Sequence, residues 1–177
     1  MSSAAIVLNG ATSGSATLVP TDNVTVTQTL SNVSNVVVAI NGPAFSAYGS
    51  ANQNFSSGVS TKVTLDIETF DTNNNFASSR FTPTVAGYYQ INAVIRMSDT
   101  VALASGQVLI FKNGSQYNSG VSILSGLAIT NMSILVYLNG TTDYIELYGY
   151  GTGTAPYFNF ASVSACCSMS GFLARSA

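Results

Sequence analysis

The chain has 177 residues, of which 7% are charged and 46% hydrophobic, with a net charge of −2. That length supports one good core and a small appendage. Its five Lys and Arg residues are scattered and leave no electrostatic footprint for DNA or RNA, and no run reaches the roughly 18 apolar residues of a membrane span. An ordinary soluble domain is about 25% charged, so a Ser/Thr/Asn-rich, nearly uncharged surface is expected where neighbours cover it, as in oligomers and shells. Met1-Ser-Ser-Ala-Ala-Ile-Val-Leu8 lacks the basic start and apolar length of a signal peptide, which predicts synthesis in a cytoplasm.

Taken in chain order, residues 1–42 are a region apart. Ile6-Val-Leu8, Ala16-Thr-Leu-Val19, Val24-Thr-Val-Thr-Gln-Thr-Leu30 and Val36-Val-Val-Ala-Ile40 are short strand-like pieces between Gly, Asn and Pro turns. The region holds no aromatic residue and one charge, Asp22. It cannot build much of a core, so we read it as a β-rich attachment arm that packs on other subunits, with Ile6, Leu8, Leu18, Val24 and Val26 as its contact residues. Gly42-Pro43 marks the boundary, because proline restricts itself and the residue before it.

From Pro43 to Ala177 the apolar residues alternate with period two. Val63, Leu65 and Ile67 alternate with Thr64, Asp66 and Glu68; Tyr89, Ile91, Ala93, Ile95 and Met97 alternate with Gln90, Asn92, Val94 and Arg96. The run Gln107–Lys112 ends at Asn113-Gly114, and Met132–Leu138 ends at Asn139-Gly140 before Tyr144–Tyr148 returns. Asn-Gly tolerates the positive φ angles of a type I′ hairpin turn, so two antiparallel hairpins are expected. The class is all-β.

The residues offer little chemistry. There is no histidine, which removes imidazole metal sites and Ser-His-Asp or Cys-His catalysis. Asp66 and Glu68 share a strand face, and Asp143 and Glu146 flank a turn; both pairs read as solvated charges rather than a hydrolytic pair. Asp71-Thr-Asn-Asn-Asn75 begins like a calcium loop, but Phe76 stands at the glycine position and Thr82 at the closing acid, leaving an Asx-rich turn. Cys166 and Cys167 are adjacent and read as two reduced thiols, one of them in the core. The sequence calls for no cofactor, metal or catalytic residue. Tyr148, Tyr150, Tyr157, Phe158 and Phe160 crowd a Gly-rich stretch; they read as subunit packing or as a sugar-stacking surface, the former favoured because aromatic residues dominate interfaces.

Two segments carry a resemblance. Arg80-Phe-Thr-Pro-Thr-Val-Ala-Gly-Tyr-Tyr-Gln-Ile-Asn-Ala93 is a turn feeding a long strand, in which Gly87 would allow the turn and Tyr88 or Tyr89 would enter the core. Ser170-Gly-Phe-Leu-Ala-Arg175 reads as a closing strand. With Pro43-Ala-Phe-Ser-Ala-Tyr48 first, Lys62–Glu68 second and Val136–Leu147 as penultimate hairpin, residues 43–177 resemble the C1q-like domain of the C1q/tumour necrosis factor superfamily, as found in tailed-bacteriophage virion structural proteins. The resemblance implies an antiparallel jelly-roll sandwich that packs as a homotrimer around a threefold axis. It implies a non-enzymatic virion component, expected to be a capsid decoration or cement protein that binds the major capsid protein through its arm. The alternative is the receptor-binding tip of a tail or head fibre, docked on a fibre protein and recognising host surface glycan.

Overall fold

The computed structural model describes residues 42–124, 128–160 and 166–177; the arm residues Ile6, Leu8, Leu18, Val24 and Val26 lie outside them. In chain order the strands are β1 (Ala44–Tyr48), β2 (Gln53–Asn54), β3 (Thr61–Lys62), β4 (Ile67–Asp71), β5 (Phe76–Ala77), β6 (Arg80–Phe81) and β7 (Gly87–Asp99). They continue with β8 (Ser105–Lys112), β9 (Ser115–Ser119), β10 (Ile123–Leu124), β11 (Ala128–Leu138), β12 (Ile145–Thr152), β13 (Pro156–Phe158) and β14 (Cys167–Ser176).

These form two antiparallel sheets. In the first, β4, β1, β14 and β7 lie side by side, β11 pairs the far edge of β7, and β13 extends the β14 side toward β2. In the second, β12 is flanked by β8 on one edge and by β6 and β3 on the other, with β9 and β10 on β8. The expected jelly-roll sandwich is what the chain builds. The closing segment is not at an edge: β14 sits between β7 and β1, where both of its own edges are satisfied.

The period-two pattern sends one face of each sheet inward. Phe45, Phe81, Tyr89, Ile95, Met97, Ile110, Leu138, Ile145 and Phe158 are fully enclosed. Phe45 stacks on Phe81 at 4.2 Å and on Phe76 at 5.2 Å, and Phe81 meets the edge of Tyr89 at 5.5 Å. Each such side chain contributes about 1.5–3 kcal/mol through burial, and each well-oriented aromatic pair adds about 0.5–1.5 kcal/mol. Tyr89 rather than Tyr88 enters the core; its hydroxyl donates to the Val85 carbonyl at 2.7 Å, and burial pushes the phenol up to about 12. Cys167 is in the core and Cys166 half-buried, both free thiols; burial raises the Cys167 thiol to about 12.

Several expectations are corrected. Asn113-Gly114 does make the tight hairpin between β8 and β9, with φ of 53° and 79°. Asn139-Gly140 does not: β11 belongs to the first sheet and β12 to the second, so residues 139–144 cross between sheets. Asn139 Oδ1 there accepts the backbone N–H groups of Thr141, Thr142 and Asp143 at 2.9–3.0 Å. The single strand Lys62–Glu68 is instead split, since β3 pairs β12 while β4 pairs β1. The chain changes sheets at Val63–Asp66, and Ile67 consequently faces outward. Gly87 begins β7 without a positive φ; a Cβ there would lie 2.6 Å from Leu173 Cδ1 and clash with the Arg175 carbonyl. It permits close approach of β14 rather than a turn.

Candidate interaction face

Residues directly opposite one another on paired strands share a face, so the register gives the outer surface of the first sheet row by row. Tyr137 lies opposite Tyr88. The next row runs Leu135, Gln90, Phe172, Ala44, and the third runs Ser133, Asn92, Ser170, Ser46, Phe70. Asn131, Val94, Ser168 and Tyr48 follow. Large apolar side chains therefore stand in water at one end: Leu135 is 54% exposed, Phe172 50%, Tyr88 45% and Tyr137 40%. Ile129 and Phe70 are exposed on the same face. Contiguous apolar surface of this kind on a folded domain marks an interaction site.

The face is ordered before anything binds it. Tyr88 and Tyr137 meet edge to face at 5.4 Å. Lys112 Nζ donates to the Tyr137 carbonyl at 2.7 Å and pairs with Asp143 Oδ2 at 2.9 Å. Asp143 is held below the usual carboxylate range by hydrogen bonds from Asn113 and then Lys112. Beside the apolar end runs a shallow trough lined by Asn92, Val94, Asn131, Ser133, Ser168 and Ser170. At its apolar end a short chain of hydrogen bonds runs across the strands: Gln90 Nε2 donates to Ser133 Oγ at 2.8 Å, and Ser133 Oγ donates to Asn92 Oδ1 at 2.9 Å. With hydrogen bonds already made, covering Gln90, Ser133 and Asn92 costs less polar desolvation.

The five aromatic residues singled out in the sequence do not form one surface. Phe158 is fully buried against Phe55 at 4.5 Å, and Phe160 is 8% exposed, packed over Gly49. These two are core residues of a single chain, a correction that follows for Phe158 from strand alternation in β13. Tyr148 and Tyr150 are half-buried on the outer face of the second sheet, and Tyr157 is half-buried on β13 of the first. Tyr148 stacks on Phe111 at 3.8 Å, and burial, then the charge of Glu146, raises its phenol.

Of the acidic pairs, Asp66 and Glu68 are exposed as expected, whereas Glu146 is not. Asp66 accepts the Ser50 backbone N–H at 2.7 Å and its hydroxyl at 2.5 Å, which lowers its pKa and fixes a turn. Glu146, expected on a solvated turn, is 3% exposed. Its Oε1 accepts Lys62 Nζ at 2.7 Å and Arg80 Nε at 2.9 Å. Burial pushes that carboxyl up, the two cations pull it down further, and the balance is a lowered pKa. It is a structural anion at neutral pH. Asp71 takes the backbone N–H groups of Asn73 and Phe76, an Asx turn, and among the described residues no three His, Cys, Asp or Glu side chains gather as metal ligands.

No protein-family model matches this chain, and no characterised protein matches it in sequence. Solved structures do match in fold. The globular domain of zebrafish complement 1qA protein aligns with a TM-score of 0.51 at 15% identity, over 76% of this chain and 99% of its own. Murine APRIL aligns with a TM-score of 0.55 at 10% identity, over 75% and 98%. The PRD1 vertex protein P5 aligns with a TM-score of 0.53 at 16% identity, over 75% and 97%. The described residues have the C1q/tumour necrosis factor-like jelly-roll fold.

Proposed function

We propose that this chain is a non-enzymatic virion structural protein: a homotrimeric decoration or cement protein that stabilises a head shell, with residues 1–42 as the arm that grips the major capsid protein. The observation that carries the reading is the exposed apolar end of the first sheet, Tyr88, Leu135, Tyr137 and Phe172. A soluble monomer has no use for four such side chains in one patch, whereas packing the same patch of neighbouring copies together hides it and covers the edge of β11 that is unpaired among the described residues. The fold likeness to a vertex protein supports a place on a particle. In particles that carry this chain, electron microscopy is expected to find it on the head at threefold or quasi-threefold positions. Density only at the tail overturns the decoration reading.

A second reading, a receptor-binding fibre tip that recognises host surface glycan, is favoured by one specific observation. The opposite face of the sandwich carries a polar, cationic pocket on Lys62 and Arg80, which a cement role leaves unused.

A further inference from the structure

We infer that this pocket binds an acidic monosaccharide unit, a sugar ring bearing one carboxylate, with Arg80 as its carboxylate fork. The inference rests on the second reading and gives it a ligand class and a site.

The pocket is lined by Lys62, Arg80, Asn74, Ser78 and Thr82, with Asn75 and Ala77 behind. Arg80 is fixed from two sides. Glu146 Oε1 accepts its Nε–H at 2.9 Å, and its guanidinium carbon lies 3.8 Å from the centre of the Tyr144 ring. Its two terminal nitrogens have no hydrogen-bond partner among the described residues, and the side chain stays 42% exposed. A planar fork already immobilised, with its outer edge unused, matches a carboxylate bidentately and loses little entropy on binding. Lys62 is fixed as well, by Glu146 and by the Ser78 carbonyl at 2.9 Å.

The backbone beneath is held in an unfavourable shape. Ser78 and Ser79, with φ of 52° and 58°, close a two-residue turn between β5 and β6 that ordinarily takes Asn and Gly. Asn74, on the same rim, also has positive φ, at 52°. Ser79 Oγ holds the turn in place, accepting the Leu65 N–H at 2.8 Å and donating to the Leu65 carbonyl at 3.2 Å. Residues kept in such conformations cluster at ligand sites.

Charge and lining choose the ligand. Lys62 and Arg80 against Glu146 leave one net positive charge, in a chain whose total is −2. One positive charge suits a carboxylate better than a phosphate dianion. The neutral remainder, amide and hydroxyl groups of Asn74, Ser78 and Thr82, suits the hydroxyls of a sugar ring.

The test is calorimetric titration of the full chain with glucuronic acid, glucose and inorganic phosphate. Saturable glucuronate binding at least tenfold tighter than either comparator is expected. Arg80→Lys keeps a cation beside Glu146 but loses the fork, and should weaken binding about tenfold or more with the melting temperature nearly unchanged. Arg175→Gln, which removes a distant charge, should bind like wild type. Glucose or phosphate binding as tightly as glucuronate, Arg80→Lys binding undiminished, or Arg175→Gln weakening equally would each overturn the inference. Sugar binding without preference for the carboxylate overturns the inference and leaves the glycan reading standing. Glucuronate and glucose both failing to bind this site while the chain still binds host cells fails the inference alone.

Discussion

The two outer faces of the sandwich carry aromatic residues in similar number and use them in opposite ways. On the second sheet, Tyr148 is stacked on Phe111, Tyr144 lies under Arg80, and Glu146 is sealed by two cations. Each of these groups has its partner in the same chain. On the first sheet, Leu135 and Phe172 are half exposed and have no such partner among the described residues. The difference teaches that aromatic content alone does not locate an interface; the side chains left without an internal partner do.

The comparison is sharpened first by changes in what both faces share. Phe81→Ala, in the layer between the sheets, removes two aromatic contacts at once, with Phe45 and with Tyr89. It should cost about 3–5 kcal/mol, seen as a lowered urea midpoint. Glu146→Gln should cost about 1–3 kcal/mol in the same measurement, because Lys62 and Arg80 then lose their shared buried counter-charge. A Gln variant as stable as wild type would show that the second face is not held by its ion triad.

Alkali acts on the core that separates the faces. Cys167 and Tyr89 have folded pKa values of about 12, raised from 9.0 and 10.0. Between those values the folded state retains protons that the unfolded state releases, so stability is full below about pH 9 and falls as pH rises toward about 12. The slope reaches about 1.4 kcal/mol per pH unit for each group. Acid acts on the triad with the opposite sign: Glu146 has a lowered pKa, so its contribution is present above the ordinary carboxylate range and lost as pH falls through and below it. The smallest effect on stability belongs to the exposed face. Leu135→Asp should shift unfolding by no more than about 0.5 kcal/mol within one chain.

Much of this was legible in the residues. Strict alternation along Tyr89–Met97 gave β7 its buried face, and Asn113-Gly114 has the φ preferences its turn demands. The turn at Ser78-Ser79 was not legible, because serine carries no signal for positive φ; Leu65, distant in sequence, holds it there. Asn139-Gly140 misled for a related reason, since the dipeptide specifies a backbone bend and not which sheet follows it. The run Tyr148–Phe160 looked like one aromatic cluster, yet alternation and the turn at Gly153 distribute it between core and two surfaces. The interaction face did have a signal. Ile134-Leu-Val-Tyr-Leu138 is apolar at every position, and a strand with no polar side is one expected to be covered on both faces.

That expectation is tested most directly by sedimentation of the full chain and of a Leu135→Asp, Phe172→Asp double variant. The account predicts a wild-type particle of three times 18.3 kDa, about 55 kDa, and a folded variant at the mass of one chain. A wild-type chain that sediments as a monomer, or a variant that assembles as wild type does, would contradict it.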